Sequence, residues 1–218
     1  MRPDPRGDNA LAGGEVVLVR HGQGECNAAG VIGGQLGCRG LSERGRWESS
    51  RLAERLAKLH AERAFDVVLS TPRLRVLQCA RIIGARLDAP VIVVEALTGQ
   101  EFGAADGQSW EQVTTRFGGP PAHDPDRPIA EGGESWNSYA DRVLAALVMV
   151  LAEHADRRVL LVAHGKTSGL AGGLLSGAPD PRTAFSGFVV DHGALSHWRQ
   201  QQGRWDLVVH NDSRHLAG

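Results

Sequence analysis

Four short runs of β-branched and apolar residues, EVVLV (15–19), FDVVLS (65–70), VIVV (91–94) and VLLVA (159–163), are separated by longer stretches with helical spacing. A continuous apolar run suits a strand buried on both faces, and strands that alternate with helices pair in parallel because each helix returns the chain to the same edge. The expected architecture is therefore α/β: a three-layer α/β/α sandwich around a mostly parallel central sheet. Ser42 can cap a helix whose inner face carries Leu52, Leu56 and Leu59. A second helix follows Pro72, and a third opens at Ser135 with Trp136, Tyr139, Val143, Leu147 and Val150 along one stripe. ALSHWRQ (194–200) and WDLVVH (205–210) predict a closing hairpin about a Gln-Gln-Gly turn.

A length of 218 residues suits one domain, expected over 15–210, between an N-terminal tail (1–14) and a C-terminal tail (211–218). The first 14 residues mix Pro, Gly and both charge signs without the apolar core of a signal peptide or a membrane span. Residues 98–134 break the strand–helix rhythm with Gly, Pro and Asp, as an inserted cap over a site would. A net charge of −1 without a basic run argues against nucleic acid and anionic membrane as partners and favours a small molecule. Cys26, Cys38 and Cys79 are odd in number and lack metal or disulfide-framework spacing, which suits the reducing cytoplasm. Monomer and homodimer are both compatible with this composition.

Parallel sheets bind ligands at the carboxyl ends of their strands. After the first strand stands VRHGQGECN, where Arg20 offers a rigid fork of donors and Gly22 and Gly24 let backbone approach an oxyanion. Gln23 and Asn27 add amides, and His21 lies among them. Together they describe a phosphate cradle. A dinucleotide-binding turn fails at its third glycine, where Asn27 stands. Cys38 and Arg44 have the spacing of a thiol-phosphatase loop, but no strand precedes them, and Leu41 and Ser42 stand where glycine is needed. The paired aspartates of DPDRP (124–128) follow a Pro-rich loop rather than a strand, which disfavours an aspartyl-phosphate site. After the second strand, STPRLRVLQCARI puts Arg75 on the first turn of a helix, whose N-terminus attracts anions. After the fourth, LLVAHGKTSGL repeats the pattern of strand, His164, Gly165 and helix.

RHGQ with a following Asn, SxPxxRxxQxA, GGES and VAHG occur here in the order found in the histidine phosphatase superfamily, and the chain resembles that phosphoglycerate-mutase-like family over residues 15–210. The resemblance implies a phosphatase that uses neither metal nor cofactor, with His21 taking the phosphoryl group and passing it to water. It assigns Arg20, Arg75 and His164 to the phosphoryl oxygens, assisted by Asn27, Gln23 and Gly165. A histidine attacks only when neutral, and neighbouring cations both lower its pKa and stabilise the transferring oxygens. His192, His197, His210 and His215 read as loop and strand surface residues and make no ligand set.

The chain departs from the family where a Glu usually protonates the leaving oxygen, because Gly99 stands there. Glu101 is the expected replacement, with Glu95 as the alternative. Gly24 replaces the usual Thr or Ser, and Cys38 stands near a common Asp. Trp110, Phe117 and Trp136, with few cations around them, suggest a bulky aromatic monoester. Superfamily resemblance in size and composition points to a flavin-type phosphate of antibiotic biosynthesis, with sugar phosphates such as glucosyl-phosphoglycerate as alternatives. A phosphoglycerate-type mutase is disfavoured because the family's Glu-Arg-His-Tyr-Gly segment is missing. A degenerate phosphate-binding or regulatory protein is disfavoured because both histidines and both arginines are retained.

Overall fold

The computed structural model describes residues 13–121, 124–184 and 187–217. Its six strands form one sheet in the order β3-β2-β4-β1-β5-β6. β1 (Glu15–Arg20), β2 (Val67–Ser70), β3 (Val91–Val93) and β4 (Arg158–Ala163) pair in parallel, whereas β5 (Leu195–Gln201) and β6 (Arg204–Asp212) form an antiparallel hairpin against β1. The expected mixed α/β sandwich with a mostly parallel sheet is the observed one. In the hairpin turn Gln202 and Gly203 both have positive φ (50° and 76°), the conformation whose twist matches the flanking strands.

Seven helices occur among the described residues: α1 (Glu25–Ala28), α2 (Glu43–Glu62), α3 (Leu74–Leu87), α4 (Trp110–Phe117), α5 (Trp136–Glu153), α6 (Gly165–Leu175) and α7 (Pro181–Ala184). Ser42 and Ser135 cap α2 and α5 by accepting from the amides of Gly45 and Ser138. Alternation along β1 sends Val17 and Val19 to the layer of α2 and α3, packed with Leu52, Leu56, Val76 and Ile83. It sends Val16 and Leu18 to the layer of α5 and α6, with Val143, Leu147 and Leu170. Leu52 and Leu56 are fully buried, and truncating either to Ala would cost about 2–5 kcal/mol.

Glu15, buried at the start of β1, ties the layers together through Arg63, Arg158, Arg199 and His197. Burial alone would raise its pKa. The hydrogen bond from Arg199 and the charges of His197, Arg63 and Arg158 outweigh that and lower it.

Two boundaries differ from expectation. Of the expected tail over 1–14, only Gly13 and Gly14 lie within the described residues, and the Gly14 carbonyl accepts from the Gln200 amide at 2.8 Å. The chain past 210 is not a tail: β6 runs on to Asp212, and Arg214–Leu216 forms a 3-10 turn. Asp212 anchors that turn through Arg214, and Arg51 of α2 donates to the His215 carbonyl. Residues 98–134, expected as a cap, build a small core with Ile32 of the loop after α1: Ala105, Val113 and Ala130 surround it, with Phe102, Phe117 and Ile129 packed on it.

Candidate active site

The sheet order brings the carboxyl ends of three strands together. Arg20 of β1 is in register with Ala163 of β4, and the His21 amide donates to the Ala163 carbonyl, so the residues that follow each strand are neighbours. The rings of His21 and His164 therefore stand 5.4 Å apart, edge to face. On the other side of β4, the Thr71 amide that follows β2 donates to the Val162 carbonyl. That places the start of α3, with Arg73 and Arg75, against the same edge.

The loop after β1 presses on the first turn of α2. A Cβ at Gly22 would collide with the Gly45 carbonyl, and one at Gly45 with the Gln23 carbonyl, so this approach needs glycine on both sides.

Hydrogen bonds fix the tautomers. The Gly22 carbonyl lies 2.6 Å from His21 Nδ1 and can only accept, so Nδ1 carries the proton. His21 Nε2 accepts from Arg75 Nε at 3.1 Å, so its lone pair is held by that guanidinium at the cavity wall. Arg75 also donates to His164 Nδ1 (3.3 Å) and to the Gly33 carbonyl (2.8 Å), so one guanidinium spans both imidazoles. His164 Nε2 then carries the proton and donates to Thr71 Oγ1 at 3.2 Å.

Both rings are buried, and burial first, then the Arg75 guanidinium, pushes each pKa well below the ordinary 6.5. Arg20 is held by the Val190 carbonyl and by His192 Nε2, while its buried Nε has no partner among the described residues. An orphan buried donor beside a cluster of cations is the environment an oxyanion would complete.

The cavity measures about 330 Å³ and is lined by Arg20, His21, Asn27, Arg75, His164 and Gly165, which are six of the expected site residues. The uncapped N-terminus of α6 opens at Gly165. Gln23 does not line it: its amide donates to Glu48, and its side-chain carbonyl accepts from Ser42. Glu101 does not line it either. Its carboxylate closes on Arg73 at 2.9 Å and is 42% exposed. Glu95 lies exposed in the 3-10 turn after β3. Gly99 does reach the cavity, and a Cβ there would stand 2.8 Å from His164 Nε2.

The expected aromatic roof is built differently. Trp110 is exposed, Phe117 packs in the small core of the insertion, and Trp136 packs on the main core; the aromatic lining comes from Phe102, Tyr139 and Phe188, beside Val189 and Val190.

Several lining or supporting residues carried no signal in the sequence. Lys166 lines the cavity. Arg73, 2% exposed, braces the Gly99 carbonyl, Gln35 and Glu101. His192, expected at the surface, packs 5.6 Å from His21 and holds Arg20, and burial first, then Arg20, brings its pKa down to about 4. His197 is likewise spent on Glu15, His210 on Ser196 and His215 on the Gly193 carbonyl.

A neutral imidazole with an unprotonated Nε2, ringed by two guanidiniums and a second imidazole, is equipped to attack an electrophilic phosphorus once Arg75 turns from that nitrogen to a phosphoryl oxygen. The sequence model of the histidine phosphatase superfamily (branch 1) matches residues 16–213. The chain belongs to the histidine phosphatase superfamily. A metal-independent phosphoserine phosphatase of Arabidopsis thaliana is 35% identical over 69% of this chain, and the match spans 64% of that protein's length. A glucosyl-3-phosphoglycerate phosphatase of Mycolicibacterium vanbaalenii is 32% identical over 93% of this chain and 96% of its own. Among solved structures, that of an α-ribazole-5′-phosphate phosphatase homologue from Escherichia coli superposes with a TM-score of 0.79, covering 91% of this chain and 96% of its own. At 24% identity that likeness speaks for the fold. No helix among the described residues is long and apolar enough to cross a membrane.

Proposed function

We propose that this protein is a phosphomonoesterase that hydrolyses a small-molecule phosphate monoester through a phosphohistidine on His21. The observation that carries the reading is the state of His21: Nδ1 is committed to the Gly22 carbonyl, Nε2 is unprotonated, and Arg75 binds it at the point where phosphorus would arrive. Arg20, Arg75 and His164 hold the phosphoryl oxygens and neutralise charge as the P–O bond breaks. Asn27 and the first amides of α6 add donors at the rim. The cationic groups of the pocket supply this stabilisation without a metal ion, and the three buried free cysteines suit a cytoplasmic location.

The far wall, with Phe102, Tyr139, Phe188, Val189 and Val190, favours a monoester whose alcohol portion is bulky and partly apolar. Flavin-type and glycosylated phosphates both meet that description, and relatives acting on phosphoserine and glucosyl-3-phosphoglycerate extend the substrate panel to test. The decisive assay is phosphate release in chelator from an aryl phosphate, riboflavin-type phosphates, phosphoserine and a sugar phosphate. Turnover by wild type with loss of at least about 10³-fold in His21→Ala is the expected result. Turnover that requires added metal, or that survives His21→Ala, would sink the reading.

A further inference from the structure

No carboxylate lines the cavity among the described residues. Departure of an alkoxide still needs a proton, and general acid catalysis typically contributes about 10²–10⁴-fold. The wall beside Gly99 instead presents an ammonium. Lys166 stands on the first turn of α6, two residues after His164, and lines the cavity with Gly99 and Gln100. Its Nζ donates to Gln100 Oε1 at 2.6 Å, and Gln100 is oriented by donating its own amide to the Glu134 carbonyl at 3.0 Å. The rings of Phe102 and Trp136 each lie 5.7 Å from Nζ. Among the described residues no carboxylate pairs with it. A lysine that only held a structural ion pair would have one, and a lysine kept for solubility would not be aimed along a catalytic wall.

We propose that Lys166 is the proton donor to the leaving oxygen, standing in for the carboxylate that Gly99 cannot supply; this rests on the phosphohistidine reading of His21. As His21 Nε2 bonds to phosphorus, the P–O ester bond breaks and its electron pair stays on oxygen, which takes a proton from the Lys166 ammonium and leaves as the alcohol. The neutral amine then accepts a proton from the water that attacks the phosphohistidine. The P–N bond breaks with its pair returning to Nε2, so one water is consumed and the ammonium is restored.

The surroundings support an acidic ammonium. Lys166 keeps an exposed side chain along the open cavity, and the partial loss of water around its ammonium brings its pKa down to about 8. The groups facing it are His164 from the end of β4, the neutral Gln100 and Phe102 from the insertion, and Trp136 and Tyr139 from α5; Arg20 and Arg75 lie across the cavity. Tyr139 stays protonated, with burial first pushing its pKa to about 12. At pH 7 a group of pKa about 8 is roughly nine-tenths charged, yet far readier to release its proton than a lysine in water.

The test uses the full-length protein in chelator, with wild type, Lys166→Met and Lys166→Arg compared on an aryl phosphate, whose leaving group needs no proton, and on an alkyl phosphate. The expected result is a loss of about 10²–10⁴-fold on the alkyl ester and under about tenfold on the aryl ester in both variants, because a guanidinium holds its proton. Wild-type kcat on the alkyl ester should fall above pH 8, and Lys166→Arg should lack that limb. Equal losses on both esters, or rescue by Lys166→Arg, would show that Lys166 holds an anionic part of the substrate and would overturn the proposal. Should Lys166→Met fail to fold, the wild-type pH limb decides alone: its absence overturns the assignment. Trapping an acid-labile phosphoenzyme from wild type, lost in His21→Ala, tests the phosphohistidine reading separately.

Discussion

Gly99 is where a single added carbon has the most to say about this site. It has no positive φ, so alanine fits its backbone and any effect of Gly99→Ala comes from the methyl group alone. That methyl would stand 2.8 Å from His164 Nε2 and 3.1 Å from Cε1. To restore van der Waals contact the imidazole has to yield by about 0.6 Å, at the edge that donates to Thr71. The Thr71 bond is already 3.2 Å and the Arg75 bond 3.3 Å, so retreat in either direction breaks one of them. Overpacking of this kind costs roughly 1–3 kcal/mol. Displacing a group that positions the phosphoryl oxygens by part of an ångström should lower kcat roughly 10- to 100-fold. The assay is kcat on an aryl phosphate, which needs no acid, together with the thermal midpoint. Loss of kcat with KM changed little would locate the damage in the transition state. Wild-type kcat and midpoint in Gly99→Ala would refute the packing described here. Gly99→Glu, which would restore the family's carboxylate, should be at least as impaired.

Three further outcomes follow from the same geometry. Glu101→Gln should change the ratio of alkyl to aryl phosphate turnover by less than about threefold, because its carboxylate is engaged with Arg73; a selective loss on alkyl esters would make Glu101 the acid after all. Arg75→Lys should lower kcat by about 10²–10³-fold, since a point-like ammonium lacks the rigid fork by which Arg75 Nε and Nη2 reach His21 and His164 together; near-wild-type turnover on an aryl phosphate would contradict that bridging role. Stability should fall with acid below pH 6.5, because His21, His164 and His192 are held below their ordinary pKa, so the unfolded chain takes up protons that the folded chain refuses. The loss should steepen between pH 6 and 5, and a denaturant midpoint that stays flat over that interval would count against neutral buried rings.

β1, β2 and β4 were legible because a buried strand must be apolar along its whole length, and the ends of β1 and β4 because a His-Gly pair follows each. Because each follows the carboxyl end of a predicted parallel strand, Arg20, His21, Arg75 and His164 fall at one edge of the sheet from sequence alone. Legibility failed where a side chain's role depends on the path of a loop. Glu101 sits between Gly99 and Gly103 on a loop that the sequence leaves free to be re-aimed, but Arg73 draws its carboxylate aside, and nothing in the sequence marks Arg73 as buried. His192 lies far from His21 in sequence, and only the register of β5 against β1 brings the segment before it back to Arg20.

Gly99 and Lys166 belong to the same class of problem. In sequence one is a missing acid and the other a lysine in a helix. In space both line one cavity, and the carbon absent at Gly99 is what leaves the His164 ring its place. A carboxylate at residue 99 would put a negative charge in the same cavity as the Lys166 ammonium, favouring its charged form and making it a weaker acid. The loss of the one is thus what makes the other useful, a coupling that only the pocket reveals.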